Sequence, residues 1–450
     1  MKDNNYFSKK LNKIIPGGSH TYSRGDDQFP INAPAILYKG KGAYVWSHDK
    51  SKFLDYGMGL RSVTLGYANK KINNSVIREI KKGNNLTRAS LTELEAAERL
   101  LEIMPNAEMV KFAKNGSNVT TAATKLARSY TNKEYIFVPK EHPFFSFDDW
   151  FIGSTMIKKG VPGDYHKYTK VFNYGDIKSL KKLFDKYKDN VAAVILEPST
   201  TITPCLKECK IKLCYNNRCE GKNFLKEVQS LCKINNTVFI LDEMITGFRF
   251  HLKGAQHYFG VKPDLSTFGK GMANGFSLAA LTGKKEIMNQ GGIKQLNKER
   301  TFLLSSTHGA EMTSLRALIT TINFYEKNKV SEYLWSYGTK LKSIFDEEIE
   351  IRGLKNFFHL EGLPILMNYK TFDENSKPCL KFRTLFSQEM INNNVLMPWI
   401  SPSFSHGKKE LKITKKAIQK SLDVYKKALE EGIDKYLIGP AVKPVFRKFN

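Results

Sequence analysis

A chain of 450 residues is too long for one ordinary hydrophobic core and long enough for two or three domains. Hydrophobic residues at 41% and charged residues at 26% exclude a disordered chain, and no run of about 18 apolar residues offers a membrane span. The formal charge of +27 raises nucleic-acid binding, yet the lysines are scattered from Lys2 to Lys448 with no basic tail or nucleic-acid motif. A solvated basic surface accounts for them, and nucleic acid is not an expected partner.

In chain order, MKDNNYFSKKLNKIIPGG lacks an apolar core of signal-peptide length, so a cytoplasmic protein is expected. IPGGSHTYSRGDDQFP is rich in turn formers and reads as an arm. AILYKGKGAYVWSHDKSKFLDY then suggests short strands joined by turns. From about Leu65 helices and strands alternate. TELEAAERLLEIM has helical spacing, MVKFAKNGS runs from a strand into a glycine turn, and TTAATKLARSYT continues as a helix of small residues. VAAVILEPS and TVFILDEMI, flanking the helix FLKEVQSLCKIN, are nearly continuous apolar runs, as expected of strands buried on both faces of a parallel sheet. The pattern predicts an α/β fold with a mostly parallel central sheet flanked by helices, plus a smaller α+β domain. The predicted division is an arm and strands over 1–64 that contribute to the small domain, a large domain over 65–313 and the small domain proper over 314–450, beginning at the helix LRALITTINFYEKN.

Three segments carry candidate chemistry. KNGSNVTTAATKLARSY opens a helix at Gly116 and Ser117, where free N–H groups and the helix dipole favour an anion. FILDEMITGFRF delivers Asp242 to the carboxyl end of a buried strand, the end at which open α/β sheets bind ligands. A carboxylate at that depth needs a cationic or hydrogen-bonding partner. VAAVILEPS ends likewise in Glu197. PDLSTFGKGMANGFSLAAL sets Lys270 between Gly269 and Gly271 among apolar and small residues. Desolvation there lowers an amine's pKa and frees it as a nucleophile, and the glycines admit a close ligand.

With LDEMITGFR followed by PDLSTFGKGMANG in that order and spacing, the chain resembles the class III aminotransferases of fold type I, a pyridoxal-phosphate family. The likeness is nearest to the glutamate-1-semialdehyde 2,1-aminomutases and runs from IPGGSHTYSRG through KNGS and ILEPS to the small domain. The resemblance implies a Schiff base between Lys270 and pyridoxal 5'-phosphate, with Lys270 later shuttling a proton. It implies Asp242 on the pyridine nitrogen, and Gly116, Ser117 and Asn118 at the phosphate. Met244 falls where the family packs an aliphatic residue on one ring face, and Phe144 where it stacks an aromatic on the other. Thr307, in LLSSTHG, matches a threonine reaching the phosphate from the partner subunit, so a homodimer is implied. Glu197 and Arg24 match residues on the substrate side, Arg24 as the grip on a carboxylate. Two departures stand out. Phe144-Phe145-Ser146 replaces the usual Tyr-His-Gly, losing the tyrosine hydroxyl, and the phosphate turn reads Asn-Gly-Ser-Asn rather than Ser-Gly-Thr-Glu.

An amino donor and a carbonyl acceptor are the implied small-molecule partners. DDWFIGSTMIKKGVPGDY is shorter than the aminomutase gating loop, which retains a diamino intermediate. Without retention the enzyme transfers amino groups between two substrates, the reading favoured over an aminomutase. A catalytically silent protein of this fold is disfavoured by joint retention of Lys270, Asp242 and the phosphate turn. Cys205, Cys209, Cys214 and Cys219 cluster in a segment inserted after ILEPSTT. Their C-x3-C-x4-C-x4-C spacing is not a standard finger, but four thiolates can hold a structural zinc; free thiols in a loop are the alternative. Cys232, on the following helix, reads as core.

Overall fold

The computed structural model describes residues 3–204 and 223–450. The four clustered cysteines lie outside the described residues. Two compact units emerge, one of residues 70–331 with 446–450, the other of residues 1–69 with 332–445.

The first of these is built on a seven-stranded sheet. Its strands are β1 (Met109–Ala113), β2 (Tyr135–Pro139), β3 (Thr169–Phe172), β4 (Val191–Leu196), β5 (Val238–Glu243), β6 (Leu265–Phe268) and β7 (Ala279–Gly283). The spatial order is β1-β7-β6-β5-β4-β2-β3. All neighbours run parallel except β7, which is antiparallel to both β1 and β6. Every residue of β4 and β5 is buried, which explains their unbroken apolar sequences. The β5–β6 register sets Asp242 opposite Thr267.

Helix Gly116–Thr131 follows β1. Its N-cap is Asn115, whose side chain accepts from Asn118 N, and it ends at Asn132 in the left-handed region. Val119, Ala122, Ala123, Leu126 and Ala127 form one buried stripe at helical spacing. Small residues on that stripe let the helix lie close on Ile136, Ala193, Ile240 and Leu281 of the sheet. The helix thereby aims its N-terminus at the carboxyl ends of the strands.

Helix Met312–Asn328 packs on helices Lys70–Ile80 and Leu91–Ile103. Arg316 reaches Glu79 (2.9 Å) and Glu95 (2.8 Å), and Thr320 Oγ1 meets Ser75 Oγ at 2.8 Å. The break between units therefore falls at Ser331/Glu332, beyond the 313/314 boundary drawn from the sequence. The sequence boundary followed the last site motif, whereas the apolar and ionic face of this helix ties it to the sheet-bearing unit. A second difference is the tail. Residues 446–450 group with the sheet-bearing unit rather than with the C-terminal domain.

The other unit holds a four-stranded sheet of Leu37–Lys41, Tyr44–Ser47, Lys52–Asp55 and Val395–Leu396, in that order, and a hairpin of Phe358–Glu361 with Asn368–Thr371. Helices Leu380–Asn392 and Lys408–Glu431 cover a core that includes Tyr56, Phe345, Phe358, Phe386 and Tyr425. Among the described residues, no helix is long and apolar enough to cross a membrane.

Candidate active site

Alternation along β5 sends its two acids to opposite faces. Asp242, only 3% exposed, accepts at Oδ1 from Met244 N (2.9 Å) and from Thr267 Oγ1 (3.0 Å). Burial pushes its pKa up to about 6, against the lowering effects of those bonds and of the Lys270 charge. A carboxyl so placed favours a nearby cation. Glu243 points elsewhere, accepting from Gln256 N (3.0 Å) and Ala255 N at the start of helix Gly254–Phe259. Burial raises it to about 7, and its role is to hold that helix. Of the adjacent acids, the backbone pleat leaves only Asp242 for the site.

Lys270 follows β6 through Gly269 and opens a short turn, Lys270–Ala273. Its φ of 39° is left-handed, an unfavourable conformation for a long side chain that the surrounding turn must enforce. The side chain is half-buried. Met244 ties the three motifs together. A Cβ at Gly116 would lie 3.0 Å from Met244 Sδ, and one at Gly269 would lie 2.5 Å from the same sulfur. Glycine is thus needed at both positions so that the thioether can sit across the two turns.

At the helix N-terminus, the backbone N–H groups of Gly116 and Ser117 have no acceptor among the described residues. Free donors at a helix N-terminus favour an anion. Ser117 is buried and its Oγ accepts from Phe147 N at 3.1 Å, which ties the loop after β2 to the turn while leaving the hydroxyl hydrogen to donate. Asn118 is half-buried, with its N–H on the capping Asn115. The same loop is tied again by Thr120 Oγ1 donating to Phe145 O (2.7 Å) and Trp150 Nε1 donating to Thr121 Oγ1 (2.8 Å). Phe145 is buried, while Phe144 is 44% exposed with its ring edge-on to Phe151 at 6.1 Å. An amine, a buried acid, an anion-binding turn and a soft side chain across the turns are the donor set that pyridoxal phosphate needs, and these residues fit it.

Glu197 is buried at the end of β4, and its backbone N–H donates to His142 Nδ1 at 3.1 Å. Burial lowers His142 to about 3, so the ring is neutral and can accept. Nothing in KEHPFF marks His142, in the loop after β2, as a brace for the neighbouring strand β4. Thr267 was missed for the same reason, because only strand register reveals it.

Thr307 lies exposed in the turn of residues 307–310. Arg24 belongs to the other unit, where it ends the turn Tyr22–Arg24 and lines a hollow shared with Asp55, Leu60, Tyr67 and Trp399. Four consecutive residues in that unit, Met58, Gly59, Leu60 and Arg61, have positive φ. Such a left-handed turn costs roughly 1–2 kcal/mol per non-glycine residue. It is braced by Asp55 accepting from Gly57 N (2.7 Å) and Tyr67 Oη (2.6 Å), and by Trp399 Nε1 donating to Gly57 O (3.1 Å). Only Gly59 hinted at this in the sequence. Among the described residues no group of three or more His, Cys, Asp or Glu could hold a metal. Cys232 is buried in helix Phe224–Ile234, a core residue as expected.

Gly269→Ala is expected to displace Met244, which cannot retreat freely because Gly116 lies against the same sulfur. Cofactor retention should weaken about tenfold, the scale of an overpacked contact of about 1–3 kcal/mol. Titration of the cofactor-free variant with pyridoxal phosphate, followed by absorbance, measures it.

The sheet order and the constellation at its carboxyl edge define a pyridoxal-phosphate enzyme of the transaminase fold. The family model for class III aminotransferases matches residues 22–354. The 3-aminobutyryl-CoA aminotransferase of Cloacimonas acidaminovorans is 30% identical over 423 residues, 92% of this chain and 95% of that protein. A glutamate-1-semialdehyde 2,1-aminomutase of Archaeoglobus fulgidus is 30% identical over 446 residues, 94% and 99% of the two chains. Among solved structures, the pyridoxal-phosphate form of FumI from Sphingopyxis sp. MTA144 has a TM-score of 0.83 at 20% identity, covering 96% of this chain and 98% of that one. An omega-transaminase from Sphaerobacter thermophilus reaches 0.79 at 20%, covering 94% and 97%. The chain belongs to the class III aminotransferases and is a pyridoxal-phosphate-dependent transaminase or aminomutase.

Proposed function

We propose that this enzyme is an aminotransferase moving an amino group between two small molecules. The observation that carries the choice is the short stretch between helix Asp149–Ile152 and the turn Tyr165–Tyr168, only residues 153–164. A stretch this brief offers little to retain an intermediate between half-reactions. The cofactor supplies an electron sink for the bonds at the substrate's α-carbon. The Lys270 amine anchors the cofactor and moves the proton at that carbon. Asp242 keeps positive charge on the ring nitrogen. Gly116, Ser117 and Asn118 hold the phosphate, joined by the partner subunit's Thr307 in a homodimer. Met244 and Phe144 pack on the ring, and Glu197 and Arg24 recognise substrate, Arg24 through a carboxylate. The four-cysteine segment is proposed to hold a structural zinc.

A second reading, a glutamate-1-semialdehyde 2,1-aminomutase, is favoured by likeness to the Archaeoglobus protein along 94% of the chain. Incubation of the holoenzyme with glutamate-1-semialdehyde alone separates the two. A strict need for a separate donor and acceptor is the expected result, and formation of 5-aminolevulinate without a donor would establish the aminomutase instead.

A further inference from the structure

We infer that Phe446, in the C-terminal tail, is a positioning residue of the cofactor site, fixing the ring of Phe144. The inference rests on the reading of Phe144 as the aromatic that packs on the cofactor.

Phe144, in the loop after β2, is 44% exposed. A tyrosine at this position could be oriented by a hydrogen bond from its hydroxyl. Phenylalanine has none, so packing must orient it, ring contacts included. Within the sheet-bearing unit two are present. Phe151 meets Phe144 edge-on at 6.1 Å and 84°, and Phe446 lies 6.4 Å away at 44°. Phe151 is itself fixed, being buried and edge-on to Phe145 at 5.5 Å, with Trp150 at 5.8 Å. The rings therefore form a chain from the core outward, Trp150, Phe151, Phe144 and Phe446, in which Phe446 supplies the outer contact.

The tail's grouping supports the assignment. Residues 332–445 belong to the other unit, yet 446–450 join the sheet-bearing one, and Phe446 is the first of them. The ring is half-buried in a basic end, VFRKFN, whose last three residues are exposed. The exposed Phe449, 76% accessible, shows that an aromatic in this tail is not covered by default.

One aromatic pair is worth about 0.5–1.5 kcal/mol, so Phe446→Ala should weaken pyridoxal-phosphate binding by about two- to thirteenfold. It should also reduce the visible circular dichroism of the bound cofactor, which reports the asymmetry of the rings around it. The melting temperature of the cofactor-free protein should not move, and Phe446→Tyr should restore both signals. A chain ended after Val445 should behave as Phe446→Ala does. In a Phe144→Ala background, Phe446→Ala should add little. The inference is overturned if the wild type shows the cofactor's band while Phe446→Ala leaves its dissociation constant and dichroism unchanged, or if the effect is as large without Phe144. A wild type with no cofactor band at all would instead overturn the cofactor reading itself, and this inference with it.

Discussion

Replacing Lys270 with alanine is expected to abolish the visible-edge absorbance of the loaded enzyme and lower turnover by at least about 10³-fold, the scale of a lost general base. Both effects follow from one amine. It lies half-buried, close enough for its charge to act on the buried Asp242, and it is the only lysine between two glycines in the apolar stretch after β6. Alanine removes the covalent anchor and the base together. The fold should survive, because position 270 has φ 39° and alanine is no more strained there than lysine. A melting temperature near that of the cofactor-free wild type checks this. Lys270→Arg separates charge from nucleophilicity, since a guanidinium keeps the cation beside Asp242 but stays protonated. It should be as inactive as Lys270→Ala while leaving the protonation of Asp242 nearer that of the wild type. An absorbance band that persists in Lys270→Ala would move the anchor to another lysine.

Lys270, Asp242 and the Gly116 turn stand out in the sequence because each violates a local expectation. A lysine among small apolar residues, an acid closing a buried strand and a glycine opening a helix each call for a partner that the neighbouring residues do not supply. The residues supporting them were not legible, for a physical reason. Thr267 meets Asp242 through the register of two strands, and His142 meets Glu197 across the sheet. Met244 was placed by resemblance, but its lodging against Gly116 and Gly269 follows only from three turns converging. The left-handed turn at Met58–Arg61 contradicts the propensity of three of its four residues, and tertiary bonds from Asp55 and Trp399 impose it. The extent of the sheet-bearing unit is hidden from the sequence likewise. Helix Met312–Asn328 has an ordinary amphipathic pattern, and which unit covers its face is decided by Glu79, Glu95 and Ser75, more than 200 residues earlier.

Asp242→Asn is expected to lower turnover by about 10²–10³-fold, the usual cost of removing a preorganised charge from a buried site. It should also change how the protein responds to pH. In the cofactor-free chain burial raises the Asp242 carboxyl from 3.8 to about 6. A carboxyl raised on folding contributes stability that is fully present below its unfolded value and is lost as pH rises through the folded one. Between pH 4 and 6 that loss amounts to about 3 kcal/mol, at about 1.4 kcal/mol per unit. Glu243, raised to about 7, acts in the same direction and extends the loss toward neutrality. A cation on the bound ring nitrogen offsets the Asp242 share, because the charged carboxylate then has its partner. The gain in melting temperature on loading the cofactor should therefore grow from pH 5 to pH 8 in the wild type and grow much less in Asp242→Asn. Lys270→Ala as the common background removes the separate pH dependence of the covalent link. Glu243→Gln supplies the contrast: its carboxyl serves the amides of Ala255 and Gln256, so it should lower stability while leaving the pH-dependent cofactor gain intact. A gain that is flat with pH in the wild type, or lost in Glu243→Gln rather than in Asp242→Asn, would assign the ring nitrogen to the wrong acid of the pair. The pleat of β5 decides between them, since it turns one carboxylate toward Thr267 and the site and the other toward a helix.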